Sequence, residues 1–308
     1  FAWVLRKFMN ISGSEGLVAA GNIFMGMTES PVLIKNYLPT MNRSEIFLVM
    51  VSGMGTIAGS VMGTYIGMLG GTDPASKVLF ATHLLSASVM AVPGSIVLAK
   101  MLCPQTEEAT DHVAVSGKEK ENSNILDAIS SGTVTGVKLM TNIAAMLLVF
   151  ISLVALANYV TEDVIGRYTG LNDWIVQISD GKAKGLTFQF ILGVITAPFM
   201  WLIGVLGQDI MLVGSLLGQK TILNEFVAYF QLQQWKDAGL FMYEKSILMS
   251  TYILCGFANI SSIGILLGGL GVLAPEKRGL ISRIGVPAMI GGALVSVLSA
   301  TIIGMILG

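Results

Sequence analysis

Two carboxylates stand where a strongly apolar chain would be expected to carry oily side chains. Glu29 closes the stretch Gly21-Asn-Ile-Phe-Met-Gly-Met-Thr-Glu29, which runs on into Ser30-Pro31, and Glu225 opens Glu225-Phe-Val-Ala-Tyr229 directly after Asn224. An uncompensated carboxylate at bilayer depth costs at least ~2.5–3.5 kcal/mol on insertion scales, so such a residue marks a pathway or a ligand. Next to Glu29, Thr28 can both donate to and accept from a polar ligand, and Asn22 adds an amide. Glu225 follows Lys220 by five residues, which leaves open an internal Lys220–Glu225 pair or a carboxylate reserved for a ligand. A third set of polar groups lies beside glycines: Thr56 in Gly53-Met-Gly-Thr-Ile-Ala-Gly59, and Asn259, Ser261 and Ser262 in Gly256-Phe-Ala-Asn-Ile-Ser-Ser262. Unwound turns expose carbonyls, and hydroxyl and amide oxygens can complete the shell of a hard cation. The competing use of the same side chains is hydrogen bonding within their own helix or between helices.

Other chemistries lack their residues. His83 is a lone histidine in an apolar run, suited to a helix–helix hydrogen bond, and His112 falls in a polar stretch. These and the two cysteines, Cys103 and Cys255, form no metal or disulfide spacing. Glu107-Glu108 reads as a solvated charge cluster. No Walker, Rossmann or G-x-S-x-G pattern occurs in context, which argues against an enzyme. The net charge of −1 gives no case for nucleic acid. With 12% charged residues, half the ~25% of soluble domains, and a mean hydropathy of +0.74, the composition points to the bilayer. The 36 glycines suit close helix packing and interrupted helices in a membrane.

The elements that must hold these groups follow from run length. Residues 1–11 read as a short interfacial helix. The runs 14–26 and 30–38 are both too short to span, since crossing takes ~20 residues. Pro31 breaks a continuous helix between them, so the two arms form a re-entrant hairpin with Thr28 and Glu29 at its tip. Residues 45–70 can cross but are interrupted by Gly53, Gly55 and Gly59, and 78–102 form a second span kinked at Pro93. A polar loop fills 104–124, a clean span 137–160, and an amphipathic segment 163–186 with Tyr168 and Trp174 as interface anchors. Residues 187–206 are apolar but broken at Pro198. A second hairpin covers 209–230, an interrupted span 246–272, a basic loop Lys277, Arg278 and Arg283, and a last span 284–307.

The order repeats. Gly53–Gly59 aligns with Gly256–Ser262, and Glu29 falls near Glu225. The domains expected are a first repeat at 1–103, a polar loop at 104–136, a scaffold span with interfacial helix at 137–186, and a second repeat at 187–308. One clean span between the copies inverts the second. The loops around 1–43, 100–138 and 274–283 hold eleven Lys and Arg against six on the other side, which turns the first hairpin mouth to the cytoplasm. The first copy opens at Phe1 with no span before it, so further spans are expected upstream. The fold class is an all-α polytopic membrane protein: inverted repeats with two re-entrant hairpins and two broken transmembrane helices, the pattern that places a substrate site at the midplane. A channel would need a continuous polar stripe on full spans, which these lack; a membrane sensor would share the same site.

At these residues the chain resembles the concentrative nucleoside transporter family. The resemblance covers essentially all of residues 1–308 and rests on Gly21–Glu29, Thr56-Ile-Ala-Gly-Ser60, Pro104-Gln-Thr-Glu107, Asn224-Glu-Phe-Val-Ala-Tyr229 and Gly256–Ser262. It implies a homotrimeric, cation-coupled nucleoside importer of elevator type in a plasma (inner) membrane. It also implies roles: Thr28 and Glu29 toward the nucleobase, Glu225, Asn259 and Ser262 on the ribose hydroxyls, Phe257 and Val61 lining base and sugar. Asn22 and Thr56, with the carbonyls of Met25 and Ile57, would coordinate Na+; a proton remains the alternative coupling ion. The family usually places Gln where Met27 stands. Met packs on a larger ring but cannot bond a pyrimidine edge, so the Gly-Met-Thr-Glu tip implies a preference for purine nucleosides.

Overall fold

Helix starts are set by caps and helix breaks by glycines. The computed structural model describes residues 2–9, 11–107, 124–179 and 183–308. Most of the expected polar loop, with Glu108, His112, Lys118 and Lys120, lies outside these residues, as do Phe1, Asn10 and Lys182. Among the described residues the fold is all helical. The chain divides into two compact units, one made of 1–112 and 189–308, the other of 113–188.

In the first unit, α1 (Ala2–Met9) leads to α2 (Gly13–Gly21). Ser12 and Glu15 form a capping box there: the Glu15 N–H donates to Ser12 Oγ at 3.3 Å and the Ser12 N–H donates to Glu15 Oε2 at 2.9 Å. Helix α2 stops at Asn22, and a run of turns carries the chain to Glu29. The second arm is not the helix expected over 30–38: it is a 3₁₀ turn, Ser30–Ile34, followed by further turns to Thr40. Pro31 sits at the start of that turn, where its missing N–H costs nothing. Helix α3 (Arg43–Gly55) starts from a second capping box, Asn42 with Glu45. The chain unwinds over residues 56–58 and resumes as α4 (Gly59–Gly70). Asp73 caps α5 (Pro74–Leu102), which runs through Pro93 as one helix.

In the second unit, α6 (Ile125–Asn158) begins twelve residues before the expected span and continues through a π-helical stretch, Tyr159–Gly166, into one-turn α7 (Arg167–Thr169) and α8 (Leu171–Ile178). Asn172 fastens this corner: its Nδ2 donates to Glu162 O at 2.9 Å and its Oδ1 accepts from Leu186 N at 2.9 Å. Tyr168 and Trp174 are exposed.

The first unit then repeats its order. Helix α9 (Phe188–Leu202) passes through Pro198 without the expected break. Proline is tolerated in apolar helices because neighbouring groups take over the freed carbonyl. The second hairpin is α10 (Ile210–Ile222) and α11 (Glu225–Asp237), turning at Leu223-Asn224. Helix α12 (Glu244–Leu254) unwinds over 255–259 and resumes as α13 (Ile260–Leu273). A 3₁₀ turn, Pro275–Lys277, opens α14 (Arg278–Ile306), so Arg278 and Arg283 lie in the helix and not in a loop. Among the described residues, three helical stretches are long and apolar enough to cross a membrane: Arg43–Gly70, Pro74–Leu102 and Pro275–Ile306.

Helices α3, α5, α12 and α14 pack at the centre of this unit. Glycines set their closest approach: a Cβ on Gly292 would stand 2.7 Å from Met54 Cβ. One ion pair fixes the first hairpin to the end of α5. Lys100 Nζ donates to Glu15 Oε1 at 2.6 Å, to Ser44 Oγ at 3.1 Å and to Gln105 Oε1 at 2.9 Å. Glu15 is 1% exposed. Lys100→Met strands that carboxylate and should cost about 3 kcal/mol; thermal unfolding in detergent should show it, with part of the loss recovered by adding Glu15→Gln.

Candidate functional site

The two unwound turns cross. Phe257 N donates to Thr56 O at 3.2 Å, joining the break between α3 and α4 to the break between α12 and α13. No side chain could stand at Gly256: a Cβ there would lie 2.8 Å from Ser296 Oγ and 2.9 Å from Met54 O. The glycines that mark the breaks in the sequence thus also permit the crossing.

The first tip docks on this crossing. Gly59 N donates to Phe24 O at 2.9 Å. Asn22, fully buried at the end of α2, donates from Nδ2 to Ser52 Oγ at 2.8 Å and accepts at Oδ1 from Ser30 Oγ at 2.6 Å. Thr56 Oγ1 donates to Ser52 O at 2.9 Å. Asn22 and Thr56, singled out in the sequence, are therefore gathered through Ser52, which sequence reasoning missed together with Ser30. Ser52 stands one helical turn before Thr56, a spacing that could have found it. The carbonyls of Met25 and Ile57 face no hydrogen-bond donor among the described residues. Neutral amide, hydroxyl and carbonyl oxygens are the ligand type that a hard cation takes.

At the tip itself Thr28 and Glu29 are exposed while Met27 is buried. Glu29 Oε2 accepts from Gly26 N at 2.9 Å, so the carboxylate braces its own turn. Met27 lies under the tip against α3, where a Cβ on Gly53 would stand 2.9 Å from Met27 Cβ. Thr28 reaches α13: a Cβ on Gly269 would meet its Cγ2 at 3.4 Å.

The second tip docks the other way round. Asn224 caps α11 by accepting from Val227 N at 2.9 Å. Glu225, 7% exposed, accepts at Oε2 from Asn259 Nδ2 at 3.0 Å and at Oε1 from Tyr65 OH at 3.3 Å. Asn259 Oδ1 in turn accepts from Ser261 Oγ, Ser262 N and Ser262 Oγ at 2.6, 2.9 and 3.0 Å. Tyr65, from α4, stacks on Tyr229 with centroids 4.1 Å apart. The sequence did not single it out either, although it lies one turn beyond half-buried Val61. Phe257 is half-buried at the second break. The internal Lys220–Glu225 pair is not formed: Lys220 Nζ donates to Ile253 O and Ser296 Oγ, each at 2.8 Å. His83 Nδ1 lies 3.1 Å from Tyr252 OH, a helix–helix hydrogen bond as expected. Each tip therefore contacts both broken helices, the first through Phe24 on α4 and Thr28 on α13, the second through Tyr65 on α4 and Asn259 ahead of α13.

This arrangement has known counterparts. The family model "Na+ dependent nucleoside transporter C-terminus" matches residues 83–304, and the "Nucleoside recognition" gate model matches 1–72. The chain belongs to the sodium-dependent nucleoside transporter family. It is 39% identical over 307 residues to an uncharacterized transporter of Haemophilus influenzae, covering 99% of this chain and 68% of that protein. It is 39% identical over 319 residues to sodium/nucleoside cotransporter 1 of Rattus norvegicus, covering 99% of this chain but only 46% of the relative. The solved structure of CNTnw in an inward-facing substrate-bound state superposes with a TM-score of 0.85 at 35% identity, covering 99% of this chain and 67% of that one. Members of this family are multi-pass membrane transporters and not enzymes, and the fold of this chain is theirs.

Gly256→Ala should separate the crossed turns. Overpacking against backbone typically costs about 1–3 kcal/mol, so the variant should melt earlier in detergent, whereas Gly264→Ala, whose Cβ meets nothing within 4 Å, should not.

Proposed function

We propose that this chain forms the transport core of a sodium-coupled nucleoside symporter that carries nucleosides, purine nucleosides by preference, into the cell. The observation that supports it most is the buried Glu225, held by Asn259 and Tyr65 between two unwound helices. A ribose offers vicinal hydroxyls, for which a carboxylate and an amide are suitable partners. Loss of either hydroxyl would leave a buried acceptor unpaired at ~1–3 kcal/mol. On this reading Glu225, Asn259 and Ser262 hold the ribose, Phe257 and Val61 line sugar and base, and Thr28 and Glu29 meet the base edge from the opposite tip. Tyr65 keeps Glu225 oriented. Met27 sets preference by what it withholds: it gives the base pocket no polar group.

Asn22 and Thr56, with the carbonyls of Met25 and Ile57, hold the sodium ion, and Ser30 and Ser52 orient Asn22. A bound cation offsets the partial negative charge of these oxygens. Its site and the exposed Thr28-Glu29 pair belong to one tip, so ion and nucleoside order the same turn and each raises the other's affinity equally. The assembled protein works as a homotrimer in the plasma (inner) membrane, by elevator movement.

Counterflow in proteoliposomes of the full-length protein, with labelled adenosine and uridine, tests this directly. Exchange should require sodium and favour adenosine; sodium-independent exchange driven by a proton gradient would refute the ion assignment. Asn22→Ala should weaken sodium and nucleoside affinity together, each by roughly tenfold or more. Met27→Gln should raise uridine relative to adenosine; an unchanged ratio would remove the role given to Met27.

A further inference from the structure

Lys220 is a fully buried ammonium whose acceptors are not carboxylates. It stands in the last turn of α10, the first arm of the second hairpin. Its Nζ donates to Ile253 O, in the last turn of α12, and to Ser296 Oγ of α14. Ser296 Oγ also contacts Cys255 O at 3.2 Å, the carbonyl at the end of α12. A main-chain carbonyl and a hydroxyl at the negative end of a helix are the ligands a hard cation takes.

The first repeat builds the same joint from different parts. There the end of the first arm, Asn22, reaches Ser52 in the last turn of α3 and, through it, Thr56 at that helix's end. No basic residue stands in the last turn of α2. The joint is thus the same pair of elements in both repeats, an arm end on a helix end. One carries neutral oxygens and the other a tethered positive charge.

We propose that Lys220 is a positioning residue that acts as a built-in cation, fastening the second hairpin to the unwound turn of its own broken helix in the place where the first hairpin takes an exchangeable ion. Lys220 and Glu225 belong to the same hairpin, on either side of the turn at Leu223-Asn224. The second tip therefore keeps its carboxylate ready whether or not an ion is present, and the ion dependence of the transporter resides in the first tip alone. This inference rests on the reading of Asn22 and Thr56 as the sodium site.

Chemical rescue separates charge from packing. Lys220→Ala removes an n-propylammonium equivalent, and Lys220→Met keeps the volume without the charge. Both should lower nucleoside binding roughly tenfold or more, the loss expected when buried acceptors are left unpaired. Millimolar n-propylammonium should restore binding to Lys220→Ala and raise its melting temperature, whereas n-propanol should do neither, and neither additive should help Lys220→Met or the parent. Parent-like binding by Lys220→Met would overturn the proposal. So would equal rescue by n-propanol, or no recovery of binding or stability in Lys220→Ala with n-propylammonium present from solubilisation onward. The melting-temperature arm needs no nucleoside, so a parent protein that binds none counts against the transport reading and leaves this test standing.

Discussion

The molecule depends on one backbone hydrogen bond between two places where helices come undone. Phe257 N and Thr56 O meet at 3.2 Å, and each would have had an intrahelical partner in an unbroken helix. In lipid an unsatisfied backbone group costs several kcal/mol, so one break can exist at depth only because the other is there to satisfy it. The requirement is mutual, and it explains why the interruptions come in a pair and why glycine flanks both. Gly55, Gly256 and Gly292 are spaced so that backbone meets backbone; a methyl group at Gly256 or Gly292 would strike Met54.

The buried carboxylates Glu225, Glu15 and Asp209 follow the same logic. Glu225 has Asn259 and Tyr65, Glu15 has Lys100, and Asp209 takes the N–H groups of Met242 and Tyr243 at 3.0 and 3.1 Å. What the two hairpins contribute differs. The first brings neutral amide and hydroxyl groups to its helix end, the second brings an ammonium and a carboxylate. A pseudo-symmetric scaffold thereby supports unlike tips, which is what a ligand with an unlike base and sugar needs.

Much of this was legible in the sequence, for identifiable reasons. Paired glycines and misplaced carboxylates punctuate apolar runs strongly, so both tips and both breaks fell where expected. The second arm of the first hairpin did not, because the short run 32–38 after Pro31, with Lys35 and Asn36 in it, does not distinguish a helix from a 3₁₀ turn followed by turns. Pro198 suggested a break that the surrounding helix tolerates. Tyr65 was invisible because its partner lies 160 positions away and nothing in the local pattern points to it. The Lys220–Glu225 pair failed for a geometric reason: Leu223 ends α10 with φ and ψ both −93° and Asn224 is extended, so the two side chains leave the tip in different directions.

The central claim is that both tips serve one ligand. A cryo-EM structure of the full-length protein with sodium and adenosine tests it most directly. The account predicts a single nucleoside between α4 and α13, its ribose on Glu225 and Asn259 and its base toward Thr28 and Glu29, with ion density beside Asn22 and Thr56. A nucleoside bound at one tip while the other stays out of reach, or bound away from both, would contradict it.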